Sequence, residues 1–360
     1  MSFDSFPEQE EAKRLLTASL AEGPAHAYLF HGPPGVGKRR AAVAFAGELI
    51  GDPARVERGT HPDLYALEPV GDQVLIDEIR ALRRDLHMRP FEAARRVYLV
   101  FEADTMNDAA ADALLKDLEE PPDYAVIVLV ADDLGPLTET IRSRCQPIPF
   151  RRLSEAAVRT ELLERAPGLE AEEVAAIARL AGGRLDRAER LLDPETRGRR
   201  ETLLEVARSV YGSEFDPGAA ARALLDGIRE RGSAARTEAE EVVEALELPA
   251  RVADQRIRRA QRRAERDELL ASLEELAWWY RDLLAVATGA EAAVVHADKL
   301  AALRADASPA RMAGAEPACE HVRETWRGFE EFNITPQLAL EALFVLLRRE
   351  LGGTPNVAVA

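Results

Sequence analysis

The sequence predicts a three-layer α/β domain with a parallel sheet and a phosphate-binding loop, followed by a small helical part and a longer all-helical part. Three observations predict this fold class. Short apolar runs alternate with helical stretches over the first 150 residues. A Gly-rich loop that ends in lysine separates the first such run from a helix. Beyond residue 150 the pattern is helical only.

Five strands are predicted in the first part, each short and bounded by Gly, Pro or charge. Two of them are apolar nearly throughout, as expected for a parallel sheet that helices cover on both faces. The predicted strands are Ala27–His31, Leu64–Leu67, Val97–Phe101, Ala125–Val130 and Gln146–Phe150. The helices between them are Arg39–Ile50, Asp77–His87 and Asn107–Glu120, the last ended by Pro121 and Pro122.

Helical periodicity and its capping signals divide the rest of the chain. The predicted helices are Glu155–Arg165, Ala171–Ala181, Leu185–Leu192 (stopped by Pro194) and Pro336–Arg349, with interruptions at Gly212–Pro217 and Leu248-Pro249 and a loop at Ala305–Pro317. We therefore predict a base domain at residues 1–150, a helical subdomain at 151–195, an all-helical domain at 196–352 and a flexible tail at 353–360.

Composition excludes several classes of protein. The chain has 64 acidic and 47 basic side chains and a formal net charge of -17, which argues against coating nucleic acid or anionic membrane by bulk charge. Its two cysteines, Cys145 and Cys319, cannot form a disulfide scaffold or a four-cysteine zinc site. No apolar run reaches the ~20 residues that span a bilayer, and the first residues are polar and acidic. We expect a cytoplasmic protein with no membrane partner.

The loop between the first strand and helix has the sequence Gly32-Pro33-Pro34-Gly35-Val36-Gly37-Lys38, a G-x-x-x-x-G-K motif in the context that a P-loop requires. Glycines let backbone N–H groups turn inward and hold phosphate oxygens at a helix N-terminus. Lys38 is expected to reach the β- and γ-phosphates of a nucleotide.

Two magnesium contacts of a working P-loop are missing. The position after Lys38 should be Ser or Thr, whose hydroxyl binds Mg²⁺, but it is Arg39, whose guanidinium repels a cation. A later strand should end in Asp, but Phe101 stands there, followed by Glu102 at the position of the water-activating carboxylate. We expect a nucleotide-binding fold that hydrolyses nothing. Binding of ATP or ADP without turnover stays open, because Lys38 and the loop amides remain.

Motifs spread over residues 26 to 341 resemble those of bacterial DNA polymerase III clamp-loader subunits, which are AAA+ proteins. The segment Asp112–Pro122 is similar to their NALLKTLEEPP motif, and Ser143-Arg144-Cys145 matches their SRC motif. Further matching segments are His26–Gly32, His61–Leu64 and Asn333–Glu341, the last resembling the end of their collar domain.

This resemblance implies an AAA+ base domain, a helical lid and an all-α collar through which subunits assemble. Arg144 would be an arginine finger that acts in trans on the neighbouring subunit's ATP, and Arg187 resembles a sensor-2 arginine. The missing magnesium contacts favour the delta-prime type over the gamma/tau type. Gly51–Thr60, where relatives often carry a zinc module, has no cysteine, so we expect a short basic loop and no zinc.

The partners that the resemblance implies are the gamma/tau ATPases, the delta subunit and, through the complex, the sliding clamp and primer-template DNA. The chain would need no cofactor and have no ATPase activity of its own, although it would be part of a nucleotidyltransferase, the DNA polymerase III holoenzyme. Two alternatives stay open: an active ATPase of the gamma/tau type and, less favoured, a P-loop nucleotide kinase. Steady ATP turnover by the purified chain would favour the first of these.

Overall fold

The structure is a computed structural model of the chain, and it describes residue 3 and residues 6–69, 73–245, 250–332 and 334–352. Three sequence predictions lie outside the described residues: the interruption at Leu248-Pro249, Asn333 of the collar motif and the tail at 353–360. No helix within the described ranges is long and apolar enough to cross a membrane.

The chain divides into two compact units, each with an apolar core of its own. The first unit is Met1–Glu170 with Ala181–Glu189, and the second is Ala171–Leu180 with Arg190–Ala360. The finer division into base, lid and collar at residues 150 and 195 stays a prediction.

The first unit contains a five-stranded parallel sheet in the order β2-β3-β4-β1-β5, which confirms the predicted fold class. The strands are β1 (Ala27–His31), β2 (Leu64–Leu67), β3 (Arg96–Val100), β4 (Ala125–Ala131) and β5 (Gln146–Pro149). The helices around them are α1 (Glu10–Glu22), α2 (Lys38–Ile50), α3 (Pro53–Glu57), α4 (Ile76–Leu86), α5 (Asp108–Glu119), α6 (Glu139–Arg142) and α7 (Glu155–Arg165). Each strand lies within one residue of its predicted bounds.

Both faces of this sheet are buried, because successive side chains of its apolar strands point to opposite faces. One face packs against α1 and α2, where the ring of Phe45 lies 4.9 Å from the ring of Tyr28. The other face packs against α4 and α5 through buried residues such as Leu82 and Leu114. Helices on both faces of a parallel sheet give the three layers that the sequence predicts.

The remaining helices follow the sheet along the chain. They are α8 (Ala171–Ala181), α9 (Leu185–Leu192), α10 (Pro194–Ser209), α11 (Pro217–Ala245), α12 (Ala250–Ala287), α13 (Leu300–Asp306), α14 (Pro309–Glu331) and α15 (Pro336–Leu351). The core of the second unit is formed by α10 to α15, with Trp279, Tyr280 and Phe344 fully buried at its centre.

Two local predictions are wrong. The predicted loop Ala305–Pro317 is mostly α14, since Ser308 caps the helix by accepting the Arg311 N–H (3.3 Å) and Ala315 and Ala318 are buried in the core. Packing of the whole helix, which also buries Val322 in this core, opposes the ~3 kcal/mol that an interior proline such as Pro317 costs a helix. The predicted helix Leu185–Leu192 before Pro194 is confirmed as α9, and Pro194 also begins α10, because proline suits the first helical turn.

The second wrong prediction is the basic loop at Gly51–Thr60, which contains the short helix α3. Asp52 caps this helix by accepting the Arg55 N–H (3.1 Å), and Pro53 occupies the first turn. The Arg55 guanidinium is bound to Glu92 (2.6 Å), so a structural ion pair uses part of the basic charge of this segment.

Candidate functional site

The P-loop connects β1 to α2, and its glycines are required by contacts inside the protein. Gly32, Gly35 and Gly37 have φ angles of 142°, 68° and 97°, a region that residues with a Cβ rarely adopt. A Cβ at Gly32 would overlap the backbone carbonyl of Phe150, and one at Gly35 would overlap the Asp186 carboxylate. These contacts explain the glycine pattern of Gly32-Pro33-Pro34-Gly35-Val36-Gly37 without a bound phosphate.

Lys38, the lysine of the motif, is buried, with only 3% of its side chain exposed. Its Nζ donates to the backbone carbonyls of Gly32 (2.6 Å) and Pro33 (2.5 Å) and forms an ion pair with Asp132 (2.7 Å). A lysine ammonium has three donors, so these three oxygens satisfy it completely. The positive charge that a phosphate would need is already neutralised by a carboxylate.

The register of the sheet brings Asp132 to Lys38. His31 at the end of β1 lies opposite Ala131 at the end of β4, so Gly32 and Asp132 follow side by side at the same edge of the sheet. Sequence reasoning missed Asp132. The usable signal was its position directly after an apolar strand, because the carboxyl ends of parallel strands meet at one edge.

A second acidic group, Asp104, supports the same edge. Its Oδ2 accepts the backbone N–H groups of Asp132 (3.1 Å) and Asp133 (3.0 Å). Burial raises the pKa of Asp104, and the charge of Asp132 adds to this, although the N–H donors oppose it. Glu102, the predicted water-activating carboxylate, lies two residues earlier in a left-handed backbone conformation (φ 53°). The edge beside the loop is therefore acidic, which is unfavourable for a nucleotide triphosphate.

Arg39 and Phe101, which replace the two magnesium ligands, contact each other. The guanidinium carbon of Arg39 lies 4.2 Å from the centroid of the Phe101 ring, and its Nη2 is paired with Glu68. Phe101 is 4% exposed and belongs to the core beside α2. A cation and an aromatic ring offer no oxygen ligand to Mg²⁺. The residues present do not fit a magnesium nucleotide.

Within the first unit, the first residues of α9 contact the P-loop. The Leu185 N–H donates to the carbonyl of Gly35 (2.7 Å), and Asp186 lies against Gly35 while also paired with Arg184 (2.8 Å). Arg187, predicted as a sensor-2 arginine, lies in the first turn of α9, directly after this contact. The residues that contact the loop are Leu185 and Asp186, and sequence reasoning did not consider the Asp186 carboxylate.

Arg144 lies between α6 and β5, and β5 is an edge strand of the sheet. Its Nη1 donates to the carbonyl of Thr140 (2.9 Å), and its Nη2 forms an ion pair with Glu119 (2.5 Å). One third of the side chain stays exposed. The neighbouring Cys145 is 6% exposed, and burial raises the pKa of its thiol to about 12, so it is not a nucleophile at neutral pH.

The motif at His61–Leu64 has a structural role. Asp63 is fully buried, and its carboxylate accepts the backbone N–H groups of Phe91 (2.6 Å), Glu92 (2.9 Å) and Ala93 (2.8 Å). These bonds fix the segment that leads from α4 into β3. The Nδ1 of His61 accepts the Asp63 N–H (3.1 Å), so this histidine supports the same arrangement.

The parallel sheet and the P-loop between β1 and α2 define the first unit as a three-layer α/β domain of the P-loop type. Residues 8–154 match the family model described as DNA polymerase III, delta subunit. This match and the relatives below make the chain similar to the clamp-loader subunits of DNA polymerase III, in particular to those of the delta-prime type. This similarity supports the resemblance that the motifs indicate.

Individual relatives give the extent of the similarity. The chain is 35% identical over 170 residues to DNA polymerase III subunit delta' of Bacillus subtilis, covering 44% of this chain and 52% of the relative. It is 36% identical over 209 residues to subunit delta' of Pseudomonas aeruginosa, covering 53% and 63%. The chain thus spans between half and two thirds of these curated relatives. A gamma subunit-related protein of Thermotoga maritima is similar in structure, with a TM-score of 0.47, 19% identity and coverage of 94% and 99%.

Proposed function

We propose that this chain is a delta-prime-type subunit of a clamp loader, that it does not hydrolyse ATP itself, and that it lends Arg144 to the ATP site of a neighbouring subunit. The observation that carries the proposal is the setting of Arg144. Its guanidinium is held at both Nη atoms before the edge strand β5 and remains partly exposed. A guanidinium at the edge of the base domain can reach another subunit.

The P-loop of this chain supports the proposal that the chain does not hydrolyse ATP itself. Lys38 has three oxygen partners within the protein, and Arg39 stacks on Phe101. The P-loop fold is kept as a scaffold, with Asp132 in place of a phosphate as the counter-ion of Lys38. Hydrolysis needs a metal ion that bridges the β- and γ-phosphates, and these residues do not provide its ligands.

The second half follows from the chemistry of phosphoryl transfer. Negative charge spreads over the oxygens of the transferred group, and a guanidinium supplied in trans stabilises it by roughly 10³–10⁵ in rate. Arg144 suits this role because arginine stays charged at any physiological pH and presents several planar N–H donors. The partners would be gamma/tau-type ATPases and a delta subunit in the cytoplasm. The assembly would load a sliding clamp onto primer-template DNA.

The test is to assemble the full chain with gamma/tau-type ATPase subunits whose own SRC arginine is replaced by alanine, so that turnover depends on Arg144. We expect Arg144→Ala to remove most DNA-stimulated ATPase activity while leaving the chain folded and incorporated. The matched control is Arg142→Ala, which removes another partly exposed arginine two residues away that pairs with Glu139.

Two outcomes would reject the proposal. Equal turnover with Arg144 and with alanine would show that the neighbouring site does not use this side chain. Steady Mg²⁺-dependent ATP hydrolysis by the purified chain alone would show that the loop is catalytic, as the gamma/tau alternative requires.

A further inference from the structure

The carboxylate that binds Arg144 comes from the end of α5, 25 positions earlier in the chain. The distance from Glu119 Oε1 to Arg144 Nη2 is 2.5 Å, and the opposite Nη1 donates to Thr140 (2.9 Å). One anchor is a carboxylate and the other is a carbonyl of the short helix α6. Together they fix the plane of the guanidinium as well as its position.

The packing and the end point of α5 determine where the Glu119 carboxylate lies. Leu114 and Leu118 pack α5 into the apolar core beside the sheet. The Glu120 N–H closes the last turn on the Lys116 carbonyl (3.1 Å), and Pro121-Pro122 prevents the helix from continuing. Glu119 therefore stands at a rigid helix end.

A glutamate is a poor choice for a helix C-terminus, where the backbone carbonyls already carry partial negative charge. The pair with Arg144 is also exposed, with 48% of Glu119 and 33% of Arg144 accessible, and exposed pairs contribute little to stability. Stability does not account for this arrangement. A free arginine samples many rotamers, and the pair limits that sampling.

Building on the proposed function, we propose that Glu119 is a positioning residue for the arginine finger. It holds the Arg144 guanidinium in the orientation in which the remaining N–H donors face the neighbour's triphosphate. Lys38 has all three of its donors bound inside the protein, whereas Arg144 keeps at least two of its five N–H donors for phosphate oxygens. Positioning of this kind acts on the rate of the chemical step more than on nucleotide affinity.

The experiment uses the complex described above, with turnover dependent on Arg144. The variants are Glu119→Gln, Glu119→Ala, the double variant Glu119→Ala with Arg144→Ala, and the control Glu120→Ala, which removes the adjacent exposed glutamate. We expect Glu119→Ala to lower kcat by about tenfold to a hundredfold with KM for ATP unchanged. Glu119→Gln keeps an acceptor oxygen, so its kcat should fall less. Glu120→Ala should have the kcat of wild type. The double variant should be no slower than Arg144→Ala alone.

The outcomes separate this inference from the proposed function. If Arg144→Ala abolishes turnover and both Glu119 variants are as active as wild type, the positioning role is wrong and the finger stands. If Arg144→Ala has no effect, the finger itself is wrong. Faster turnover with Glu119→Ala would also overturn the inference, because Glu119 would then compete with the nucleotide for Arg144. Glu119→Gln is nearly isosteric, so it keeps the test valid if Glu119→Ala disturbs folding.

Discussion

The guanidinium of Arg39 stacks on the ring of Phe101, with its central carbon 4.2 Å from the ring centroid. These are the two positions at which a working P-loop NTPase carries magnesium ligands. Their replacements form one contact, so the loss of the metal site is also a gain of local packing. The loop that follows β1 is held by Lys38, which binds the carbonyls of Gly32 and Pro33.

Removing the stacked cation tests this contact. We expect Arg39→Ala to lower the free energy of unfolding by about 1 kcal/mol, because an exposed cation–π contact and an exposed ion pair with Glu68 are lost together. Arg39→Lys keeps the charge but loses the planar stacking, so it should lower the free energy of unfolding by less than Arg39→Ala does. Urea denaturation followed by circular dichroism measures both. An unchanged free energy of unfolding in Arg39→Ala would contradict the stacking role.

Lys38 is expected to be a structural residue rather than a phosphate ligand. Lys38→Met should lower the free energy of unfolding by about 1–3 kcal/mol, because the carbonyls of Gly32 and Pro33 and the Asp132 carboxylate all lose their donor. The same denaturation experiment checks it, with a lysine-to-methionine substitution at the exposed Lys116 as control. A lysine kept only for nucleotide would leave the stability of the free protein unchanged.

The carboxylate of Asp132 should also keep phosphates away from the loop. Asp132→Asn removes the counter-ion of Lys38, so we expect metal-free ATP to bind this variant about tenfold more tightly than it binds wild type. Titration calorimetry in the presence of a chelator measures the affinity. Asp133→Asn is the control, since Asp133 accepts the Gly135 N–H (2.9 Å) instead of pairing with Lys38. Equal affinities in all three proteins would show that Asp132 is not the barrier.

The sheet could be predicted closely because its signal is local. The strands are short apolar runs, and the five predicted strands match the structure within one residue at each end. Helix α14 was missed because alanine and proline at Ala305–Pro317 indicate a loop, although the capping residue Ser308 before Pro309 was a usable signal. The burial of Ala315 and Ala318 decides the outcome, and no local pattern shows that burial.

The candidate site could be predicted only in part, for the same reason. The P-loop and its two replaced ligands are readable as a motif, whereas the partners of its side chains come from distant segments. Asp132 reaches Lys38 only through the register of β1 with β4. Glu119 reaches Arg144 only because α5 and α6 end near each other. Such pairs depend on tertiary packing, which sequence patterns do not encode locally.

Asp63 should make the first unit sensitive to acid. Burial raises the pKa of its carboxyl, but the N–H donors of Ala93, Phe91 and Glu92 outweigh that effect and hold the pKa below its usual value. A carboxyl with a depressed pKa stabilises the fold above its unfolded pKa of about 3.9, and this contribution is lost as the pH falls through the folded value. We expect Asp63→Asn to be destabilised by about 3 kcal/mol at pH 7, with a smaller difference from wild type below about pH 4.

Hydrogen exchange provides a local measurement of the same effect. The amides of residues 91–93 should exchange faster in Asp63→Asn than in wild type at neutral pH, because their acceptor is changed. Asp77→Asn, at an exposed position on α4, is the control and should leave these amides unchanged. Unaltered protection of residues 91–93 in Asp63→Asn would show that the carboxylate does not hold this segment.

His296 gives the second unit the opposite pH dependence. It is fully buried, with Nδ1 2.8 Å from Asp282 and Nε2 3.0 Å from Glu275. Desolvation lowers its pKa, but the two carboxylates outweigh desolvation and raise the pKa above its usual value, while the charge of Arg200, which is bound to Glu275, opposes them. A histidine with a raised pKa stabilises the fold below its unfolded pKa of about 6.5, and this contribution is lost as the pH rises through the folded value.

We therefore expect His296→Gln to be less stable than wild type by about 3 kcal/mol near pH 6, with the difference shrinking at alkaline pH as wild-type His296 loses its proton. All three tryptophans, Trp278, Trp279 and Trp326, lie in the second unit, so urea denaturation followed by tryptophan fluorescence reports on this unit. The exposed His87→Gln is the control. A difference that stays constant from pH 6 to pH 10 would show that His296 is neutral between its two carboxylates.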